Sequence, residues 1–312
     1  VIAGATGMVG KALVEALKKE YPLMLLGRSI NKLNQVFPDE KSMDWETFSS
    51  LENPLKDIDL VINLSGENIG EKRWSPAQKD LILSSRVNAT LALSIACAKA
   101  QNQHLRLFNA SAIGVYGHQS MVSETYDETS RLQDPPKDFL SEVGIEWEKA
   151  LIPAESAGIS VVKMRFGVIL SHKGGALAKM LPAFKWGLGG RIGRGIQPFS
   201  WISLTDLVRA IRWLIKHPEV TGPVNLVAPE IVTQENFAKT LGKILHRPTF
   251  FVLPDWLIKL QFGEMGEELL LKGTAVKSIL LNQKGFQFLY PTLREALRAE
   301  TAYASSIATQ NL

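Results

Sequence analysis

Cysteine is almost absent from this chain: of 312 residues only Cys97 carries a thiol, and it lies in the apolar, helix-like stretch LALSIACAKA. No disulfide framework or thiolate metal site can form within one chain, and a reducing compartment, the cytoplasm, is the expected location. Histidine is scarce too. The five, at 104, 118, 172, 217 and 246, are far apart and show no H-E-x-x-H spacing, so no metal centre is expected. A strong charge is also missing: 35 Lys plus Arg stand against 31 Asp plus Glu, spread along the chain without a basic tail or stripe. That balance argues for an anionic small molecule as ligand and against nucleic acid. No internal repeat, no apolar run of membrane-span length and no charged-then-apolar leader is visible, so no membrane partner is expected. The chain opens at Val1, without Met and already inside a predicted strand, so a few native residues are expected to precede it.

The hydrophobic content, 46%, excludes disorder as the main state and suffices for one large α/β domain with an appendage, or for two modest domains. Strand-length apolar runs (VIA, LMLL, DLVINL, RLFNAS, ISVVKMRF, PVNLVA) alternate with stretches of helical period, such as residues 9–20. Such alternation predicts repeated βαβ units: an α/β, Rossmann-type doubly wound parallel sheet. Between residues 174 and 198 the texture turns glycine-rich and basic, an excursion out of the sheet, and a helix over 205–217 and a strand over 223–228 return to it. From 231 onward the pattern is helical, with prolines at 248 and 254. The division that follows is a nucleotide-binding domain of residues 1–173 and 204–230, a smaller, mainly helical C-terminal substrate lobe of 174–203 and 231–301, and a tail of 302–312.

Gly4-Ala5-Thr6-Gly7-Met8-Val9-Gly10 follows a strand and opens an amphipathic helix. This G-x-x-G-x-x-G spacing, in that context, is what a dinucleotide site needs. The glycines allow a tight turn and close approach of backbone to the pyrophosphate, while the helix N-terminus faces its charge. After LMLL comes Gly27-Arg28-Ser29, where an NAD enzyme would usually place an acid to hold the ribose 2′-hydroxyl. A guanidinium can instead pair with a 2′-phosphate through two hydrogen bonds, so NADP is the expected cofactor, with Lys32 adding to the same charge pocket. The alternative is a solvated loop arginine.

The chain resembles the extended and atypical short-chain dehydrogenase/reductases, in particular an epimerase-like family whose members are described as nucleotide-diphosphate-sugar epimerases. The motifs that carry the resemblance are GATGMVG, NLSGENI followed by KRWSPAQK and SSRVNAT, SAIGVYG, WEKAL, RFGVIL with GGAL, GLGGRIGRGIQPFSWISLTDL, GPVNLVAP and GFQFLYPTLREAL, in order over nearly the full length. The resemblance implies cofactor contacts at Gly4, Ala5, Thr6, Gly7, Met8, Val9, Arg28 and Ser29, at Leu64, Ser65 and Gly66, and at Asp44 with Trp45 near the adenine. It also implies that Ser111 is the hydroxyl of the catalytic trio; a buried hydroxyl tying strand to loop is the equal alternative.

The other two members of that trio are missing. In active relatives a lysine lowers the pKa of a tyrosine four residues before it. None of Tyr21, Tyr116, Tyr126, Tyr290 or Tyr303 has such a lysine, although Arg294 follows Tyr290. Aligning Glu148 of WEKAL with the glutamate that trails the pair puts Leu140 and Gly144 at the two positions, and neither carries a proton. Substitutes are Ser111 with Tyr116, flanked by Glu124, then Glu67 with Asn68, and the cluster Lys72, Arg73, Trp74 and Lys79, which would suit an acidic substrate; for each, a solvated or structural role is the bland alternative. Ser203 stands where many relatives carry His. The expected activity is that of an NADP-dependent oxidoreductase or epimerase on an anionic or nucleotide-sugar-like small molecule, with a homodimer as a possible assembly; the runner-up is a non-catalytic NADP(H) sensor or scaffold.

Overall fold

The computed structural model describes the chain except residues 101, 103, 133, 134, 311 and 312, and from 303 to 310 the backbone alone. Seven parallel strands form the central sheet: β1 (Ile2–Ala3), β2 (Met24–Gly27), β3 (Lys41–Asp44), β4 (Leu60–Asn63), β5 (Arg106–Ala112), β6 (Ser160–Phe166) and β7 (Gly222–Leu226), in the order β3-β2-β1-β4-β5-β6-β7. The chain reverses its direction of sheet-building between β1 and β4, the crevice where open α/β sheets take their ligands. β3 goes beyond the sequence pattern. Its residues, KSMD, are polar because it is the edge strand, so it lacks the apolar run that marks the others.

Consecutive strand residues point to opposite faces, and both faces are covered. Ile2, Leu25, Ile62, Phe108 and Val162 pack under helices α1 (Met8–Leu17) and α8 (Leu204–Lys216), alongside Leu13, Leu207 and Ile211. Their neighbours Ala3, Leu26, Val61, Leu107 and Val161 pack on the other side against Leu93, Ala96 and Cys97 of α4 (Pro76–Lys99). By length and composition α4 could cross a membrane, which the sequence pattern had not suggested; here it lies along the sheet. The remaining labelled helices are α2 (Ile30–Val36), α3 (Trp45–Ser50), α5 (Phe139–Lys149), α6 (Ile152–Ser156), α7 (Gly175–Lys185) and α9 (Gln234–Leu245).

At the carboxyl edge, the face toward α4 and α5 turns from apolar to polar. Asn63 and Asn109 are register partners on β4 and β5; the Asn63 amide donates to Thr90 (2.9 Å) and to Asn109 (2.7 Å), and the Trp147 indole donates to Thr90 (2.8 Å). The Asn63 side-chain oxygen accepts the Ser65 N–H at 3.0 Å, so this buried network fixes the loop that leaves β4.

Beside the sheet, Leu177, Leu181 and Phe184 of α7 form a separate apolar cluster with Leu170, Trp201, Phe237, Leu241 and Leu297, whereas Leu281 and Phe286 pack into the sheet's own core. The C-terminal lobe touches the carboxyl edge through Lys79–Glu264 (2.8 Å) and through Lys179, which donates to the Gly70 carbonyl. Residues 302–310, expected as a tail, continue the final helix Leu293–Gln310, as their alanine-rich composition favours, while 311 and 312 of that expectation lie outside the described residues.

Thr90→Val removes the hub of the buried network and leaves polar partners unpaired. We expect a loss of about 2–3 kcal/mol of stability in urea unfolding.

Candidate functional site

The glycine loop is shaped for close backbone approach. Gly4 has φ +81° and a Cβ there would lie 2.7 Å from the Leu64 backbone; a Cβ on Gly10 would lie 2.5 Å from the Gly4 carbonyl. The two strand-end loops therefore touch, and α1 packs directly on the first of them. No side chain caps α1 and no acid sits in its first turn, so its N-terminal N–H groups face an open cradle made by Gly4, Thr6, Gly7, Met8 and Val9 with Leu64, Ser65 and Gly66. Ala5 is buried beneath it. On the far side the Gly174-Gly175 turn closes on Met8, where a Cβ at 174 would meet the sulfur at 3.1 Å. Orphan helix donors, a backbone wall without Cβ atoms and no competing acid are what a dinucleotide pyrophosphate requires.

Arg28 leaves the end of β2 with its side chain 86% exposed. Ser29 caps α2 by accepting the Lys32 N–H, and the Lys32 side chain lies at the surface beside them. Asp44 caps α3, accepting the Thr47 N–H at 2.8 Å, and that hydrogen bond holds its carboxyl below the usual range. Glu67, expected beside the nicotinamide, has its carboxylate 3.9 Å from Arg28 and near the half-buried Arg86, whose guanidinium packs under Gly66. Burial pushes Arg86 down to about 10, against the pull of Glu67. Asn68 bonds the Gly70 N–H and stays on the loop.

Ser111 and Tyr116 do not present hydroxyls to the cleft. Ser111 on β5, Arg165 on β6 and Asn225 on β7 form one row across the sheet, on the face toward α5. The Ser111 hydroxyl donates to Glu148 (2.7 Å); Arg165 donates twice to Glu148 (2.8 Å each) and once to the Tyr116 oxygen (2.7 Å); the Tyr116 hydroxyl donates to Asn225 (2.9 Å). Burial raises the Tyr116 pKa, so its phenol keeps its proton. Both residues serve the buried-hydroxyl alternative, because the alternation of β5 aims Ser111 inward and leaves half-exposed Ala112 as the last residue of the opposite face.

At the positions aligned with the tyrosine and lysine, Leu140 is half-buried, and a Cβ on Gly144 would lie 2.5 Å from Val115. The titratable groups found there were not foreseen. His118 lies against Gly114, near the Leu140 carbonyl, and its Nδ1 is 3.2 Å from Asp138. Asp138 caps α5 by accepting the Ser141 N–H at 2.8 Å. Glu268, from the C-terminal lobe, accepts the Phe139 and Leu140 N–H groups, and burial, together with nearby Asp138, raises its pKa. The signal for this group was spatial: residues 118, 138 and 268 converge only when the lobe closes on α5.

The basic cluster is divided. Trp74 stacks edge-on against Phe139 of α5, and Lys79 sits over the same ring and pairs with Glu264 of the lobe; Lys72 and Arg73 remain exposed. Glu124 is exposed on its loop. Ser203 caps α8 through the Asp206 N–H, and the Asp206 carboxylate takes the Leu289 and Tyr290 N–H groups, a structural junction.

Fold and cradle together define a nucleotide-binding protein of the short-chain dehydrogenase/reductase superfamily, whose site fits a nicotinamide dinucleotide. Residues 1–227 match the NAD dependent epimerase/dehydratase family, to which the chain belongs, and residues 253–300 match a domain of unknown function, DUF1731. It is 36% identical to an epimerase family protein of Mycobacterium leprae over 99% of this chain and 96% of that one. An epimerase family protein of Staphylococcus haemolyticus is 38% identical, covering 95% and 96%. Among solved structures, the human epimerase family protein SDR39U1 with NADPH superposes with a TM-score of 0.86 at 31% identity, covering 96% of this chain and 97% of that one.

The carboxyl of Asp138 carries a pH signature. Burial alone would raise it, but the His118 ring and the Ser141 N–H outweigh burial and hold it at about 2. Because the folded pKa lies below the unfolded one, the stabilisation is fully present above about pH 4 and is lost as pH falls toward 2. Asp138→Asn is expected to cost about 1–2 kcal/mol at pH 7, discounted for partial exposure, and to flatten the acid limb of a stability profile between pH 4 and 2.

Proposed function

We propose that the chain is an NADP(H)-dependent oxidoreductase or epimerase acting on an anionic, nucleotide-sugar-like small molecule. The observation that carries the cofactor preference is Arg28, an exposed guanidinium at the end of β2 in place of an acid. The N–H groups opening α1 would hold the pyrophosphate, and Arg28, released from its loose contact with Glu67, would pair with the 2′-phosphate. That the human relative's structure contains NADPH supports this reading. When bound, the cofactor supplies hydride transfer. NADPH is expected to bind roughly ten- to hundredfold tighter than NADH by calorimetry, and Arg28→Ala to erase most of the difference, the worth of a charge-assisted pair being about 1.5–3 kcal/mol. Equal affinities in the unmodified protein would sink the preference.

Proton transfer would not use a tyrosine and lysine. His118, oriented by Asp138 beside the first turn of α5, is the group we assign to hold and move the proton, with Nδ1 directed to the carboxylate and Nε2 as the working nitrogen. The second reading, a non-catalytic NADP(H) sensor, is favoured by the burial of Ser111 and Tyr116. Steady-state NADPH oxidation with a panel of nucleotide-linked and free carbonyl compounds separates the two. The enzyme reading expects turnover that falls about 10²–10⁴-fold in His118→Asn while NADPH affinity stays within about twofold. Absence of turnover with unimpaired NADPH binding gives the sensor reading precedence.

A further inference from the structure

A cleft separate from the cofactor cradle lies between α9 and the final helix Leu293–Gln310. The cleft encloses about 570 Å³, within the range of small-molecule sites, and shares no residue with the cofactor cradle. Its charge is predominantly positive, with Glu230 the one carboxylate in the lining. Lys243 and His246 come from the end of α9, Arg294 and Arg298 from the start of the final helix, and among the described residues none of the four is ion-paired. The two other charges of one sign or the other that line it are accounted for: Lys239 pairs with Glu235 at 3.0 Å, and the Glu230 carboxylate accepts the Leu293 N–H.

Helix stability does not explain this arrangement. Basic residues at the end of α9 suit the negative pole of its dipole, but Arg294 lies in the first turn of the final helix, where the dipole opposes a cation, and Arg298 one turn further gains nothing from it. His246 ends α9 in the left-handed conformation (φ 52°), a common helix C-cap geometry, at the mouth of the cleft. Asn236 and Thr240 add neutral polar groups, and Val232 and Leu293 an apolar wall.

We propose that this cleft binds a phosphorylated small molecule through its phosphoryl oxygens, the two arginines clamping from one helix and Lys243 with His246 from the other. Two guanidiniums one helical turn apart match the fork geometry that phosphate accepts. The site is independent of the cofactor reading.

The probe is inorganic pyrophosphate, titrated by calorimetry into the full chain saturated with NADPH, at constant ionic strength; ADP in a parallel titration reports whether an organic group adds affinity. Binding with a sub-millimolar Kd is expected, weakened at least tenfold in R294Q/R298Q and unchanged in K216Q, which removes a cation elsewhere on the surface. Should the double variant fail to fold, K243Q, on the opposite helix, is expected to weaken binding severalfold by itself. No binding, or an affinity that K216Q lowers as much as R294Q/R298Q does, overturns the site and reduces it to nonspecific surface charge. If NADPH does not saturate the protein, the cofactor proposal fails while the pyrophosphate titration of the free chain still decides this one.

Discussion

Arg165 and Glu148 meet inside the protein through two 2.8 Å hydrogen bonds, with side chains 5% and 6% exposed, and the carboxyl edge of the sheet is arranged around that pair. A buried ion pair repays its desolvation only when the remaining donors and lone pairs are also satisfied. Glu148 therefore takes the Ser111 hydroxyl, and the third guanidinium nitrogen takes Tyr116, whose own proton goes to Asn225. Four strand and helix elements are thereby stitched together: β5, β6 and β7 with α5. The consequence for chemistry is direct. Ser111 and Tyr116 are committed to the pair, and the histidine-carboxylate contact of His118 with Asp138 stands apart from it, at the first turn of α5.

A second buried network, Asn63 with Thr90, Asn109 and Trp147, does for the cradle what the ion pair does for the reaction end. It sets the course of the chain leaving β4, and Leu64 in turn lies so close to Gly4 that no side chain fits between them. The cradle is thus built by packing and backbone geometry and needs no ligand to form, which lowers the ordering cost of binding. The contacts of the C-terminal segment with the carboxyl edge are different in kind: they run through side-chain tips, such as Lys79 with Glu264 and Glu268 with the start of α5.

What the sequence made legible follows the same division. The glycine loop, the parallel sheet and the arginine after β2 are local features, written in spacing and periodicity, and each stands at its expected place in the chain. β3 escaped because an edge strand needs no apolar run. Which of the two readings weighed for Ser111 holds was not legible for a subtler reason: a strand's alternation has two phases, one residue apart, and which phase faces the cleft depends on the helix packed behind it. Glu67 was placed on the right loop, but its direction is set by Arg28 and Arg86, residues that motif spacing does not connect. His118, Asp138 and Glu268 converge from three distant segments, so no local pattern could announce them.

The missing lysine is built into the packing. Gly144 brings α5 against the turn at Ile113–Tyr116 so closely that even a methyl group would press on Val115, which is itself fully buried. Restoring a lysine there would force α5 outward, and α5 carries Trp147 and Glu148, the anchors of both buried networks. The helix could not move without loosening the cradle's support and stripping the partner from Arg165, which carries a penalty of about 3–5 kcal/mol for an uncompensated buried charge. The tight docking of α5 therefore leaves no room for a side chain at position 144 unless the turn after β5 is rebuilt with it.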